Sequence, residues 1–191
     1  MNFVLITGAG AVGKMTVGKR LSERTGYGFM HNHIAIEPVL QVAGSFDNWA
    51  VSDIRRILIR SYLANNLESE GFISTLMVGY DRGFDFTYID STIKYIEELI
   101  SPREVNFYYV ELIASLDVRV ERNKSEFRLE QKPSKRDIEQ SEYLLLEKEE
   151  SARRVSLEGE VEKMYPNYIR IYNDSLSVDE QVSLIMNKFG F

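Results

Sequence analysis

A chain of 191 residues that is 44% hydrophobic and 27% charged is the size of one domain with its own buried core. Its 23 basic side chains against 29 acidic ones give a formal charge of −6, which excludes a general polycationic surface for nucleic acid or an anionic membrane. Having no cysteine, it excludes disulfides, thiolate metal sites and cysteine nucleophiles. No apolar run approaches the roughly 20 residues needed to span a bilayer, and Met1-Asn2-Phe3 opens no basic leader. The expectation is one cytoplasmic domain over 1–191, monomer or homodimer, with no nucleic-acid or membrane partner.

The apolar run Phe3-Val4-Leu5-Ile6-Thr7 predicts a first strand. Directly after it stands Gly8-Ala9-Gly10-Ala11-Val12-Gly13-Lys14, the pattern of a loop that cradles phosphate. Glycines at 8 and 13 let successive backbone N–H groups turn inward, the next helix presents its positive end, and Lys14 adds a full charge near the β- and γ-phosphates. The spelling alone is only moderately specific. Its place between a strand and a helix over 14–24, with Val17 and Leu21 on one face, sharpens it. One position departs from the pattern. Met15 occupies the place of the Ser or Thr that ligates magnesium, and a thioether has little affinity for a hard cation. Thr16 follows, either contacting a phosphate while magnesium is held by water, nucleotide oxygens and a carboxylate elsewhere, or marking a loop that binds nucleotide and catalyses poorly.

A second strand over 27–31 ends in His31-Asn32-His33, which holds both histidines of the chain. If the strand continues through them, residues two apart share a face and both imidazoles meet a substrate or a metal. The alternative is that one caps the next helix and the other packs on the sheet. Val51, Ile54 and Leu58 share a helical face, and that helix also carries Arg55, Arg56 and Arg60; Arg56 is a candidate for substrate selection. A third strand over 72–78 leads to Gly79-Tyr80-Asp81-Arg82. Asp81 is a candidate to accept a substrate proton or to hold magnesium through water, the alternative being a turn carboxylate paired with Arg82. Glu37, Asp47 and Asp53 compete for that role on equal terms.

Phe86, Ile89, Ile93, Ile96 and Ile100 predict another helix, and 105–112 a fourth strand. The segment 119–136 is dense in charge, poor in periodic apolar positions and interrupted by Pro133, so it reads as an exposed excursion. Phosphoryl transfer spreads negative charge that an arginine fork can follow, which makes Arg122 and Arg128 candidates, then Arg119. A solvated helix in which Glu121, Glu126 and Glu130 pair with these cations is the alternative. Ser134-Lys135-Arg136-Asp137 predicts the capped start of a helix to about residue 154. The last strand, 168–172, ends in the polar turn Asn173-Asp174 before a helix carrying Val178, Val182, Ile185 and Phe189. Strands alternating with helices predict a parallel sheet covered on both faces, with ligands at the strands' carboxyl ends.

Together these residues resemble the P-loop small-molecule and nucleotide kinases, especially the shikimate-kinase-like and chloramphenicol-phosphotransferase-like group. GAGAVGKMTVG at 8–18, His31-Asn32-His33, KPSKRD and the closing NDSLSVDE look like a bacterial set described as ATP-binding kinases. The resemblance implies an α/β three-layer sandwich of the P-loop NTPase type, with a five-stranded parallel sheet of order 2-3-1-4-5 and a helical lid at about 119–154. It also implies an adenine-bordering turn at Asn173 and Asp174, lid roles for Arg119, Arg122 and Arg128, and ATP with Mg2+ as cofactors. Shikimate kinases carry Asp-x-Asp where this chain has His31-Asn32-His33, and a glycine triplet after the third strand where it has Gly79-Tyr80-Asp81, so shikimate is not the expected acceptor. The expected activity is transfer of the γ-phosphoryl group of ATP to a small hydroxylated acceptor. Lys14 and the loop from Gly8 to Thr16 hold phosphate, His33 or Asp81 orients the hydroxyl, His31, Asn32 and Arg56 face the acceptor, and Thr16 and Asp81 are the candidate metal contacts. A nucleoside monophosphate kinase and a non-catalytic nucleotide sensor are the alternatives.

Overall fold

The first strand, β1 (Asn2–Gly8), is the centre of the molecule, and the reason lies in its composition. Its residues are apolar on both faces, as a parallel strand roofed by helices on either side requires. In the computed structural model, which describes residues 1–125 and 136–191, β1 pairs in parallel with β3 (Gly71–Thr75) and β4 (Asn106–Ile113). The edges are β2 (Gly28–Met30), beside β3, and β5 (Tyr168–Tyr172), beside β4. The sheet order is β2-β3-β1-β4-β5, as the resemblance implies. Arg128 and the Ser134-Lys135 part of the capping run lie outside the described residues.

Alternation along β1 divides two cores. Val4 and Ile6 pack with Ile73, Val110, Leu112 and Ile171 against Val17 and Leu21 of α1 (Lys14–Thr25) and Val182 and Ile185 of α7 (Val178–Phe189). Phe3 and Leu5 face the other way, toward Ile59 and Leu63 of α3 (Asn48–Asn65) and Ile89 and Ile96 of α4 (Gly83–Ile100). Ile6 has no exposed surface, and truncating such a residue to alanine costs about 2–5 kcal/mol.

Differences from the sequence expectation fall where pairing partners run out. The second strand stops at Met30, and Asn32 is already helical (φ −52, ψ −39), so His33 begins α2 (His33–Ala43). The pleat that would put His31 and His33 on one face is therefore absent. The third strand ends at Thr75 rather than 78 because its last partners are Ser74 opposite Met30 and Thr75 opposite Ile6; beyond Leu76, whose N–H still bonds the Ile6 carbonyl at 3.0 Å, no neighbouring strand remains. Flanking the charged segment are α5 (Leu116–Asn123), whose second half falls within it, and α6 (Ile138–Ser151), which follows it. Asp137 caps α6 by accepting the Gln140 N–H at 3.0 Å. That helix ends at Ser151, three residues short of expectation, where Ala152 turns extended (φ −165, ψ 152).

Candidate functional site

Three positive-φ residues bend the loop after β1: Gly8 (φ 130), Ala11 (φ 60) and Gly13 (φ 106). At Gly8 a Cβ would also overlap the Leu112 carbonyl oxygen, so both torsion and space demand glycine. Gly13 is the N-cap of α1 and gives it no side-chain cap, which leaves the first N–H groups of that helix to turn toward the loop. Lys14 lies at the loop's mouth, its Nζ donating to the Gly8 and Ala9 carbonyls, both at 2.6 Å. Leu145 of α6 would lie 3.5 Å from a Cβ on Gly10, so α6 rests against the loop.

The loop is buttressed from behind. The Val12 carbonyl accepts from Asn173 Nδ2 at 2.8 Å and from Arg122 Nη1 at 3.5 Å. Arg122 also donates to Asn173 Oδ1 at 3.0 Å and to the Asn173 carbonyl at 2.8 Å. Asn173 in turn donates its N–H to Ile113 O at 2.8 Å and its Nδ2 to Gln181 Oε1 at 2.9 Å. Asp174 Oδ1 accepts the Ser115 N–H at 2.8 Å. Thus Val12, Arg122, Asn173 and Asp174, distant in sequence, form one wall. Arg119 is not on an exposed face: it is buried, grips Glu149 through two bonds of 2.8 and 2.7 Å, and donates to Ala114 O at 3.1 Å. Such a fork fixes α5 against α6.

Across the strand ends from this wall, the Asn32 N–H donates to Thr75 Oγ1 at 2.9 Å. Arg55 donates to Asn32 Oδ1, with its guanidinium 5.3 Å above the Tyr88 ring. Arg56 is exposed and lies instead over Tyr95 at 5.3 Å; of the two, Arg55 is beside the His31-Asn32-His33 corner. The one-residue difference is about 100° of helix, which composition could not resolve. His31 keeps its ring 6.1 Å from Phe29, while His33 Nδ1 is 2.9 Å from Glu37 Oε1, one turn along α2.

Asp81 Oδ2 accepts the Arg153 N–H at 3.2 Å, and that bond is the main cause holding the carboxyl below its usual pKa. The strap after α6 supplies residues the sequence patterns did not single out. Arg153 forks onto Glu160 at 2.8 and 2.7 Å and donates to Tyr80 O at 3.1 Å. Arg154 is buried, donating to Lys148 O at 2.9 Å, Val78 O at 3.4 Å and Ser151 Oγ at 3.1 Å; burial, and then Arg82, pull its pKa down. The strap is anchored by Glu111, fully buried in β4, whose carboxylate accepts from Ser156 N–H at 2.8 Å, Ser156 Oγ at 2.6 Å, the Tyr168 hydroxyl and Arg170 Nε at 3.2 Å.

A protein-held magnesium ion does not fit these residues. Met15 offers sulfur where a hard cation needs oxygen, and Thr16, one residue further along α1, points about 100° away. Among the described residues no group of three or more His, Asp or Glu is arranged to hold a metal.

No protein-family model matches the chain, and no curated protein matches it in sequence. Solved structures share its fold. A sugar kinase from Janibacter sp. HTCC2649 superposes with a TM-score of 0.59 at 15% identity, over 100% of this chain and 95% of the other. A gluconokinase from Sinorhizobium meliloti 1021 gives 0.51 at 16% identity, over 99% and 91%. Shikimate kinase from Acinetobacter baumannii in complex with shikimate gives 0.52 at 14% identity, over 97% and 90%. The chain shares the fold of these three kinases. Among the described residues no helix is long and apolar enough to cross a membrane.

Proposed function

We propose that this protein is an ATP-dependent phosphotransferase that moves the γ-phosphoryl group to a small hydroxylated acceptor in the cytoplasm. The observation that carries this reading is the loop itself: three positive-φ turns, an uncapped helix start and the Lys14 ammonium at one mouth, the set of donors a polyphosphate tail needs. Residues 8–16 take the phosphates, and the wall of Arg122, Asn173 and Asp174 borders the base. Residues 119–154 form the lid, with Arg122 and Arg128 as its cations; Arg119, bound to Glu149, serves the lid by holding α5 to α6.

The acceptor enters between α2, α3 and the strap. His31, Asn32 and Arg55 recognise it, and His33, oriented by Glu37, takes the hydroxyl proton as the acceptor oxygen attacks the γ-phosphorus. The bond from that phosphorus to the bridging oxygen breaks and ADP leaves. Asp81, already bonded to the strap, is the weaker candidate for the proton. The described residues offer magnesium no group of three ligands, so the ion would be held by the nucleotide's own oxygens.

Screening ATP consumption against a library of sugars, hydroxy acids, nucleosides, nucleoside monophosphates and antibiotics tests the proposal. An acceptor that stimulates ADP formation is the expected result, and Lys14→Ala should lower that turnover at least ~100-fold, as loss of a preorganised charge-stabilising donor does. Stimulation only by nucleoside monophosphates would install the monophosphate-kinase reading. Tight ATP binding with no transfer to any acceptor would install the sensor reading, which Met15 favours.

A further inference from the structure

We infer that this chain grips the nucleotide without gripping its metal: the cation that accompanies ATP is held by phosphate oxygens and water alone. The inference rests on the nucleotide site proposed above and sharpens it.

Two kinds of protein ligand ordinarily reach such a cation, a hydroxyl on the second residue of the loop helix and a carboxylate at a neighbouring strand end. The first is replaced by Met15, whose sulfur competes poorly with water for magnesium. Among the described residues the second is missing for a structural reason, because the carboxylates at this edge already accept from protein donors. Glu111, whose register partner Thr7 directly precedes the loop, is fully buried and carries four hydrogen bonds. Asp85 accepts the Gly79 N–H at 2.8 Å, Asp81 the Arg153 N–H at 3.2 Å, and Asp174 the Ser115 N–H at 2.8 Å. Glu37 is bound to His33. Glu111 has both oxygens engaged, and direct ligation by Asp81, Asp85 or Asp174 would have to use the second carboxylate oxygen while the first stays held by a backbone N–H, a geometric constraint that water ligands on the metal avoid. What neutralises the phosphates is Lys14, main-chain N–H and the lid arginines proposed above, none of which needs the metal as a bridge.

Calorimetric titration of the full chain with ATP, in excess magnesium and in excess EDTA, tests this. The expected dissociation constants agree within ~3-fold, well under one factor of ten in affinity. A Kd that weakens ~10-fold or more in EDTA, equivalent to gaining or losing a metal ligand, overturns the inference while leaving the nucleotide site standing. Absence of binding in both media removes the nucleotide reading and this inference with it. Met15→Ser restores the missing hydroxyl and should create the magnesium preference that the parent lacks; equal affinities in that variant would overturn the assigned cause. With Mn2+ as probe, water-proton relaxation gives an independent readout: the Mn2+ of Mn·ATP should keep all its water on binding, and loss of a coordinated water would overturn the inference.

Discussion

Replacing Glu111 with glutamine tests how the strap that carries Arg153 and Arg154 is held. The isosteric amide keeps one acceptor oxygen but turns an NH2 group toward donors that had bonded the second. Those donors are the Ser156 hydroxyl, the Tyr168 hydroxyl and Arg170 Nε. Removing one partner of a buried ion pair costs about 3–5 kcal/mol. Arg170 retains 21% side-chain exposure against 0% for Glu111, so its guanidinium rehydrates and the lower end, about 3 kcal/mol, applies. For a chain of this size each kcal/mol moves Tm by about 2–4 °C, giving a fall of about 6–12 °C. Urea denaturation would measure the free energy and calorimetry the Tm. A cycle with Arg170→Met should show a coupling of at least about 1 kcal/mol, as directly contacting residues do. A loss below about 0.5 kcal/mol, the range of an ordinary surface substitution, with no coupling, would refute the anchoring role.

Three further outcomes follow from the geometry. Gly8→Ala should destabilise by at least about 2 kcal/mol in urea denaturation, from the strained φ and the overlap with the Leu112 carbonyl; wild-type stability would refute the close approach. Arg122→Ala should weaken ATP binding at least ~10-fold by calorimetry through loss of the charge-assisted bonds to Asn173, and unchanged affinity would separate that wall from the nucleotide. Glu160, whose pKa is lowered below the ordinary 4.5 chiefly by the Arg153 fork, should contribute stability that is fully present above that value and lost as pH falls through its folded pKa. Urea midpoints measured from neutral pH downward should therefore fall more steeply for the wild type than for Glu160→Gln, and identical slopes would deny the linkage.

The loop and the sheet were legible in the sequence because both are local signals. A glycine pair spaced around a strand-to-helix turn and apolar runs of strand length need no knowledge of the rest of the chain. Side-chain direction was not local. Arg55 and Arg56 are indistinguishable by composition, and only the rotation of α3 turns one toward Asn32 and the other toward Tyr95. The histidine pair depended on a strand that stops at Met30, and α2 was hidden because Pro38 sits inside it, where a proline ordinarily argues for a stop. Arg119 looked solvated because the partner that buries it, Glu149, is 30 residues away. The Glu111 anchor did leave a trace: opposite charges at 111 and 170 fall on two predicted strands, and the observed register pairs them. That trace becomes readable only once β4 and β5 are known to be neighbours.

The clamp on Val12 has an implication for how the molecule is born. Asn173, which holds that carbonyl, is 161 positions further along the chain, and both strands flanking β1 are also synthesised after it. A ribosome therefore releases the glycine bend long before Asn173 can brace it, and a fragment ending before Asn173 would own the motif without that clamp. The bend can take its fully braced form only after the strands beside it and Asn173 have been made.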